Sequence, residues 1–482
     1  MELEKAVRYA LEKGIELGAR QLEVYGVEGR TQVLRVERAV VKPQVSVLSG
    51  LAVRAVVDGN YGFSFTYSLD EESIDRTLKS AIAIARSKGR DEYFKSLPEP
   101  RPAEPLGERY DKSVAELSPC DLIEFYDEVR SAISEQDYVV LWGAVFSSSG
   151  RVVVTNSLGL YHEERKTGFG GALRLAYLKE LPPATGMSIE VSWRREDVDA
   201  DRLAREALEE ARKARGAKTT RFCGETTVVW SPRALSQLLW VLEREVAADS
   251  VDRGATPFTR DKVGEQVASE TISVYANVRS DAYPFALERD DEGVPTRKVP
   301  IIEKGILREH VTDYYHAAKW GVEPTGNALR RSGRNALGSI ESEPSPYACF
   351  LEVEGKEEEA LDSILEDVRE GFLVKDVMGV HMSDFSSGKF SVPAFGWYIK
   401  NGEVAYPVRN LTLSGTIPSL LSRARAVSKE RKVEWELIPG NYPYVACDDI
   451  TVSASPPLLK ERLALGIANV LLKLGIRKSP LA

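Results

Sequence analysis

The chain has 482 residues, of which 43% are hydrophobic, and its charged residues leave a formal net charge of −9. A chain of this size is expected to form two or three domains, and its acidic balance argues against a dedicated nucleic-acid-binding protein, which usually carries a basic face. No apolar run reaches the roughly 18 residues that a membrane-spanning helix needs, and residues 1–14 are amphipathic with acidic and basic side chains interspersed, unlike a signal peptide.

The cysteines stand singly at Cys120, Cys223, Cys349 and Cys447, with no C-x-x-C pair. This spacing is typical of reduced, mostly buried thiols rather than of a disulfide framework. Together with the absence of a signal-peptide pattern, it predicts a cytoplasmic protein.

Residues 1–97 have the pattern of an α+β unit. A helix is predicted over 2–17, because Leu3, Ala6 and Val7 fall on one face. A capping box at Ser68 predicts a second helix that runs to residue 88. Between the two helices, strand-like runs lie at 21–27, 31–40, 45–57 and 61–67.

A proline-rich connector over residues 98–107 predicts a domain boundary, since proline can continue neither a helix nor a central strand. Residues 108–217 then repeat the order of helix, strands and helix, which predicts a second, central α+β subdomain. Within it, Ser118 and Pro119 are predicted to open a helix that runs through Ser134. Its strands are predicted at 138–147, 151–156, 161–167, 172–178 and 188–193.

Residues 218–482 are predicted to form a strand-rich C-terminal domain, in which a long helix over 232–248 follows a strand. The predicted fold class is therefore α+β, with N-terminal α/β subdomains built from antiparallel meanders and a β-rich C-terminal part. The tail over 457–474 is predicted as a helix, and packing is favoured over partner binding for its apolar side. That side carries Leu463, Ile467, Val470, Leu471 and Leu474.

An acidic turn at residues 290–293 begins the most informative stretch. By itself, Asp-Glu-Gly between strand-like runs predicts a hairpin in which Gly293 supplies the positive φ. After the turn come a β-branched run over 299–302, a turn at Lys304-Gly305, an amphipathic stretch over 309–320 and a T-G-N-A loop. A second block over 385–415 reads FSSGKFSVPAFGWYIKNGEVAYPVRNLTLSG.

These two blocks, in this order, resemble the TldD/PmbA family, firmly over the C-terminal half and loosely over the N-terminal half. Family members carry an F-D-D-E-G turn, a G-x-L strand with a helix, a T-G-N-A loop, and a G-Y-x-I-E-N-G-E run. The resemblance implies residues that shape a substrate cleft or a subunit seam. They are Asp290, Asp291, Glu292, Gly293, Thr325, Gly326 and Asn327.

Catalytic members of the family look like zinc peptidases with an H-E-x-x-x-H helix. The resemblance places that motif on residues 240–245, where Trp240 and Glu245 replace the two histidines and Val241 replaces the general base. The third ligand, a Cys near residues 437–441, has no counterpart. Because Trp and Val cannot bind zinc, the departures match the PmbA (TldE) branch. This implies no cofactor in this chain and zinc in a TldD-like partner subunit.

Other candidate residues carry weaker signals. His310 and His316 are predicted on one helix about 120° apart, so they share no metal-binding face and are read as hydrogen-bonded, partly buried histidines. His381 and Asp384 lie among serines and are further candidates for the substrate cleft or subunit seam, and the lack of a surrounding G-x-S-x-G elbow argues against a hydrolytic triad there. Residues 243–252 carry an acidic helix face, which is usually solvated.

The resemblance thus implies a non-catalytic partner subunit of a cytoplasmic zinc metalloprotease that degrades or processes unfolded or extended peptides. It implies a heterodimer with a TldD-like chain, with a homodimer as a second option, and leaves open whether this chain is itself an enzyme. Two alternatives remain. One is a stand-alone, metal-independent hydrolase that uses residues 381–387. The other is a regulatory or binding protein of the gyrase-modulator kind, although the acidic balance counts against direct DNA contact.

Overall fold

The computed structural model describes residues 1–37, 40–133, 135–330, 339–455 and 459–473. The described chain contains two large sheets with helices packed against them, so the predicted α+β class is confirmed. The predicted division into domains at residues 97, 107 and 217 stays a prediction.

The first sheet has six strands in the order β3-β2-β1-β4-β5-β6, and all of its pairings are antiparallel. β1 pairs with β4, so the strands on either side of the proline-rich connector belong to one sheet. The strands are β1 (Gln21–Glu37), β2 (Val40–Val57), β3 (Asn60–Thr66), β4 (Tyr138–Asn156), β5 (Tyr161–Tyr177) and β6 (Thr185–Ser192).

The predicted breaks inside the long strands are wrong. Gly29 and Arg30 interrupt the apolar pattern, but they pair with both β2 and β4, so β1 continues through them. In the same way Gly150 stays within β4, and the glycines at 168–171 stay within β5. Hydrogen bonds from two neighbouring strands therefore override the weak strand propensity of glycine.

Among the described residues, five helices accompany this sheet: α1 (Leu3–Glu16), α2 (Glu71–Lys88), α3 (Lys112–Ala115), α4 (Pro119–Ala132) and α5 (Ala200–Lys213). The predicted cap of α2 is wrong, because Asp70 rather than Ser68 accepts the backbone N–H of Ser73. The predicted cap of α4 is confirmed, since Ser118 and Asp121 form a reciprocal capping box. Ser134 lies outside the described residues.

The second sheet is built around its longest inner strand, β19, which pairs with four others. In chain order its members are β7 (Phe222–Trp230), β8 (Ile272–Ala276), β9 (Val299–Glu303), β10 (Ile306–Leu307), β13 (Leu351–Gly355), β14 (Glu358–Glu359), β15 (Glu370–Val377), β16 (Lys389–Lys400), β17 (Glu403–Thr416), β18 (Ala424–Glu434) and β19 (Gly440–Ala454). A separate short pair joins β11 (Ala328–Arg330) to β12 (Pro344–Pro346).

The helices of this half are α6 (Pro232–Glu245), α7 (Ala248–Asp252), α8 (Tyr314–Trp320), α9 (Leu361–Glu366) and α10 (Ile417–Ser422). The predicted helix over 309–320 begins only at Tyr314, because Val311 bridges to Ala247 instead. His310 therefore precedes the helix, and the prediction that it shares one with His316 is wrong. Both histidines are hydrogen-bonded, His310 to the Phe258 carbonyl and His316 to Asp313.

The tail forms α11 (Leu459–Lys473), while residues 457, 458 and 474 of the predicted helix lie outside the described chain. The prediction that the apolar side packs against the chain is wrong for Leu463, Ile467 and Val470, which are 56–62% exposed. The side chains of Leu471 and Leu474 lie outside the described part. The helix instead contacts the chain through its opposite face, where the Asn469 side chain pairs with both backbone groups of Leu181. No described helix is long and apolar enough to cross a membrane.

Candidate functional site

The acidic turn is organised by the side chain of Asp290. Its Oδ1 accepts the backbone N–H groups of Glu292 and Val294 at 3.0 and 2.9 Å, and Oδ2 accepts that of Ala328 at 3.0 Å. Gly293 has φ +82°, as predicted for this turn. The turn has only one β-bridge at its base, between Arg289 and Pro295, so it is a loop turn rather than a strand hairpin.

The neighbouring carboxylates join the turn to other segments. Asp291 Oδ2 accepts the backbone N–H of Arg330 at 2.6 Å, and Glu292 Oε2 accepts that of Tyr314 at 2.8 Å. Burial raises the pKa of all three acidic residues of the turn, and that of Glu292 reaches about 7. The turn therefore fixes the start of α8 and the strand β11.

The T-G-N loop packs directly against this turn. Thr325 exchanges hydrogen bonds with Thr312, and the side chain of Asn327 donates to the Tyr347 carbonyl at 3.3 Å. Gly326 has φ +70°, and a side chain there would collide with the carbonyl of Pro295. The predicted residues of the turn and the loop thus lie together in one buried junction.

A buried ion network connects this junction to the first sheet. Arg54 of β2 pairs with Glu292 at 2.7 Å and with Glu23 of β1, and Arg330 pairs with Glu23 at 2.9 Å. The side chains of all four are at most 5% exposed. Glu23, Arg54 and Arg330 were not predicted as site residues. For Glu23 and Arg54 the signal is a single charge inside an apolar strand, which is rarely buried without a partner. Arg330 carries no such signal, because a second arginine follows it directly.

The helix on which the resemblance places the family's metal-binding motif is α6, and it is buried on nearly all sides. The Trp240 ring lies edge-on to Phe385 with centroids 5.3 Å apart, and Val241 is fully buried. Glu243 and Glu245 are 1% and 0% exposed, so the prediction of a solvated acidic face is wrong for both. They face the protein because α6 is enclosed by the second sheet and its connections.

Glu245 is an unusual buried acid. In the described part of the chain neither of its carboxyl oxygens has a hydrogen-bond partner. A Cβ added to Gly388 would lie 2.6 Å from its Oε1, so the loop over 384–388 closes over it. Burial, followed by the nearby charge of Asp384, raises the pKa of Glu245 to about 9. At neutral pH this carboxyl is protonated.

Asp384 begins that loop and His381 lies three residues before it, so the structure places both apart from the acidic junction. Asp384 accepts the backbone N–H of Ser386 and the hydroxyl of Ser387, and these bonds lower its pKa. His381 is exposed, and its side chain has no hydrogen bond within the described ranges. The loop is therefore a turn held by Asp384, and no Ser–His–Asp arrangement is formed by these contacts.

Three family models match the chain. They are described as PmbA/TldA metallopeptidase domain 1 over residues 22–85, the central domain of the same family over 112–215, and its C-terminal domain over 223–454. Together the three ranges cover most of the sequence.

Individual proteins match along nearly their whole length. A protein of Methanocaldococcus jannaschii is 27% identical over 88% of this chain and 94% of its own. A metalloprotease PmbA homolog of Haemophilus influenzae is 23% identical over 89% of this chain and 92% of its own. The crystal structure of TldE from Thermococcus kodakarensis has the same fold, with a TM-score of 0.82, 24% identity, and coverage of 93% of this chain and 100% of that one.

Proposed function

Because the chain belongs to the PmbA/TldD metallopeptidase family, we propose that it is the non-catalytic subunit of a two-subunit zinc peptidase. A TldD-like chain holds the metal in this complex, and an unfolded or extended peptide in the cytoplasm is the substrate. The proposal assigns this chain to assembly and substrate binding rather than to the chemical step.

The observation that carries the proposal is the packing of Trp240 against Phe385 at the first position of the family's metal-binding motif. An indole has no lone pair to offer Zn²⁺, and Val241 next to it offers none either. Hydrophobic contacts therefore occupy the place where a ligand and a general base would be needed.

Glu245, at the second ligand position, does not rescue the site. One carboxylate cannot hold zinc alone, because a zinc site needs three or four protein ligands, and neither Trp240 nor Val241 supplies a second one. Throughout the described ranges, no three His, Cys, Asp or Glu side chains are grouped so that they could hold a metal ion. The residues present at this position do not fit a zinc ion.

The test is to measure bound zinc and peptidase activity for this chain alone, for a TldD-like chain from the same organism alone, and for the two mixed and co-purified. An unfolded, fluorescently labelled polypeptide serves as substrate. We expect stable co-purification, with zinc and activity in the complex and neither in this chain by itself. Stoichiometric zinc in the single chain would contradict the proposal, and cleavage by the single chain in the presence of a chelator would favour a metal-independent hydrolase.

A further inference from the structure

A groove of ≈ 550 Å³ separates the edge of the first sheet from the second sheet. Ile189 and Val191 of β6 form one wall, and Lys432, Val433 and Trp435 at the end of β18 form the other. β6 is the last strand of its sheet, so its outer edge opens on this groove.

Backbone groups of β6 point into the groove. At Met187 the outward N–H donates to Glu210 at 3.1 Å, and the outward carbonyl accepts from Arg233 at 3.0 Å. In an antiparallel strand every second residue directs both groups to the same side, so Ile189 and Val191 direct theirs the same way. Unlike those of Met187, these groups have no hydrogen-bond partner in the described chain.

The opposite wall also presents a strand edge. Residues 432–434 pair with β19 on one side only, and β14 reaches β18 no further than Ser428. A segment lying in the groove therefore has a strand edge on either side of it.

The charges of the groove are already paired with one another. Arg202 binds Glu190 through two hydrogen bonds, Lys432 binds Glu206 at 2.8 Å, and each partner is itself part of the lining. Arg109 likewise binds Asp281 at 3.0 Å. The lining therefore offers backbone donors and acceptors rather than an unpaired charge, which suits an uncharged main chain.

We propose that this groove binds an extended, uncharged peptide segment, which adds to the outer edge of β6 as a further strand. The inference deepens the proposed function and rests on it for the peptide's role as substrate. The binding itself is a property of this chain alone, because both walls belong to it.

The first experiment measures binding of a fluorescent, neutral Thr/Val-rich peptide to the isolated full-length chain by anisotropy. Val191→Pro removes an N–H that faces the groove and leaves the pairing with β5 intact, since the outward side of an edge strand tolerates proline. We expect the affinity of this variant for the peptide to fall by about tenfold, which corresponds to the loss of one hydrogen bond. The matched control Val191→Ala keeps the N–H and is expected to stay within about threefold of wild type.

The second experiment changes the ligand, so that it does not depend on the folding of a variant. Two versions of the peptide are made, one N-methylated at its odd residues and one at its even residues. Each version lacks the N–H donors on one side of the extended peptide. At least one version is expected to bind about tenfold more weakly than the parent peptide. Binding of both versions as tightly as the parent peptide, or no binding of the parent at millimolar concentration, would overturn the assignment. Zinc recovery in the two-subunit complex is assayed separately, so the two proposals fail independently.

Discussion

At the scale of single residues, buried charges connect segments that lie far apart in the chain. Glu23 accepts hydrogen bonds from Arg54 and Arg330, which lie 31 and 307 positions further along the chain. A charge in a low-dielectric interior is retained only when it is paired, so such a residue inside an apolar strand signals a partner elsewhere. The sequence shows the signal but does not name the partner.

Glu245 is the contrasting case, a buried acid kept neutral. We predict that Glu245→Gln removes a pH-dependent loss of stability. Its pKa of about 9 in the folded protein exceeds the ordinary value of 4.5, so the folded chain holds a proton that the unfolded chain releases. Stability therefore falls as pH rises through this interval, by at most ~1.4 kcal/mol per pH unit. Urea unfolding at several pH values between 5.5 and 8.5 should show a gain for the variant that grows with pH.

The matched control is Glu12→Gln, because Glu12 is an exposed glutamate on α1. Its stability should follow that of the wild type at every pH. If Glu245→Gln also followed the wild type, the buried carboxyl would not be protonated in the folded protein.

At the scale of elements, the acidic turn and the T-G-N loop act as one structural unit. Asp290 holds its own turn and the start of β11, so neither segment has its observed conformation without the other. The roles of these residues, and of His381 and Asp384, in a substrate cleft or a subunit seam stay predictions. The hydrogen bonds that these side chains form with nearby backbone groups account for the local sequence motif.

We predict that Gly326→Ala destabilises the protein far more than Gly321→Ala. Both glycines have left-handed backbones, with φ +70° and +69°, so the two substitutions share a strain of about 1 kcal/mol. Only at Gly326 does a methyl group meet backbone, the carbonyl of Pro295, whereas the space beside Gly321 is open. Overpacking adds about 1–3 kcal/mol, which denaturant unfolding of the two variants would resolve. Equal losses would contradict the observed contact between loop and turn.

At the scale of the whole molecule, buried ion pairs join the two sheets. Arg54 extends from the first sheet to Glu292, and Arg233 of α6 reaches back to Glu210 of α5 at 3.0 Å and to the edge of β6. Such pairs contribute less net stability than their geometry suggests, since both charges lose their hydration. Removing one partner, however, leaves the other buried without compensation.

We therefore predict that Arg54→Ala lowers the free energy of unfolding by about 3–5 kcal/mol, because Glu292 then loses its buried cation. The double variant Arg54→Ala/Glu292→Gln should recover part of this loss, since it removes the uncompensated carboxylate. Calorimetric unfolding checks both. Arg35→Ala on the exposed face of β1 is the control and should change stability by less than about 0.5 kcal/mol. A loss at Arg54 no larger than that at Arg35 would contradict the network.

The sequence by itself determined the α+β class, the family and the positive φ of Gly293. These features depend on short-range chemistry: the period of apolar residues, the special backbone of glycine, and the order of local motifs. The resemblance also assigns Trp240 and Val241 to positions of the family's metal-binding motif, and that assignment stays a prediction.

Only the tertiary structure decided which charges are buried and which apolar residues are not. Glu245 is enclosed by a loop far along the chain, Leu463 and Ile467 remain exposed, and Arg54 meets Glu292 across 238 residues of sequence. Burial and pairing depend on segments brought together by the whole fold, and each segment alone is compatible with either outcome. For the same physical reason the open edge of β6 became visible only once the second sheet was seen to stand opposite it.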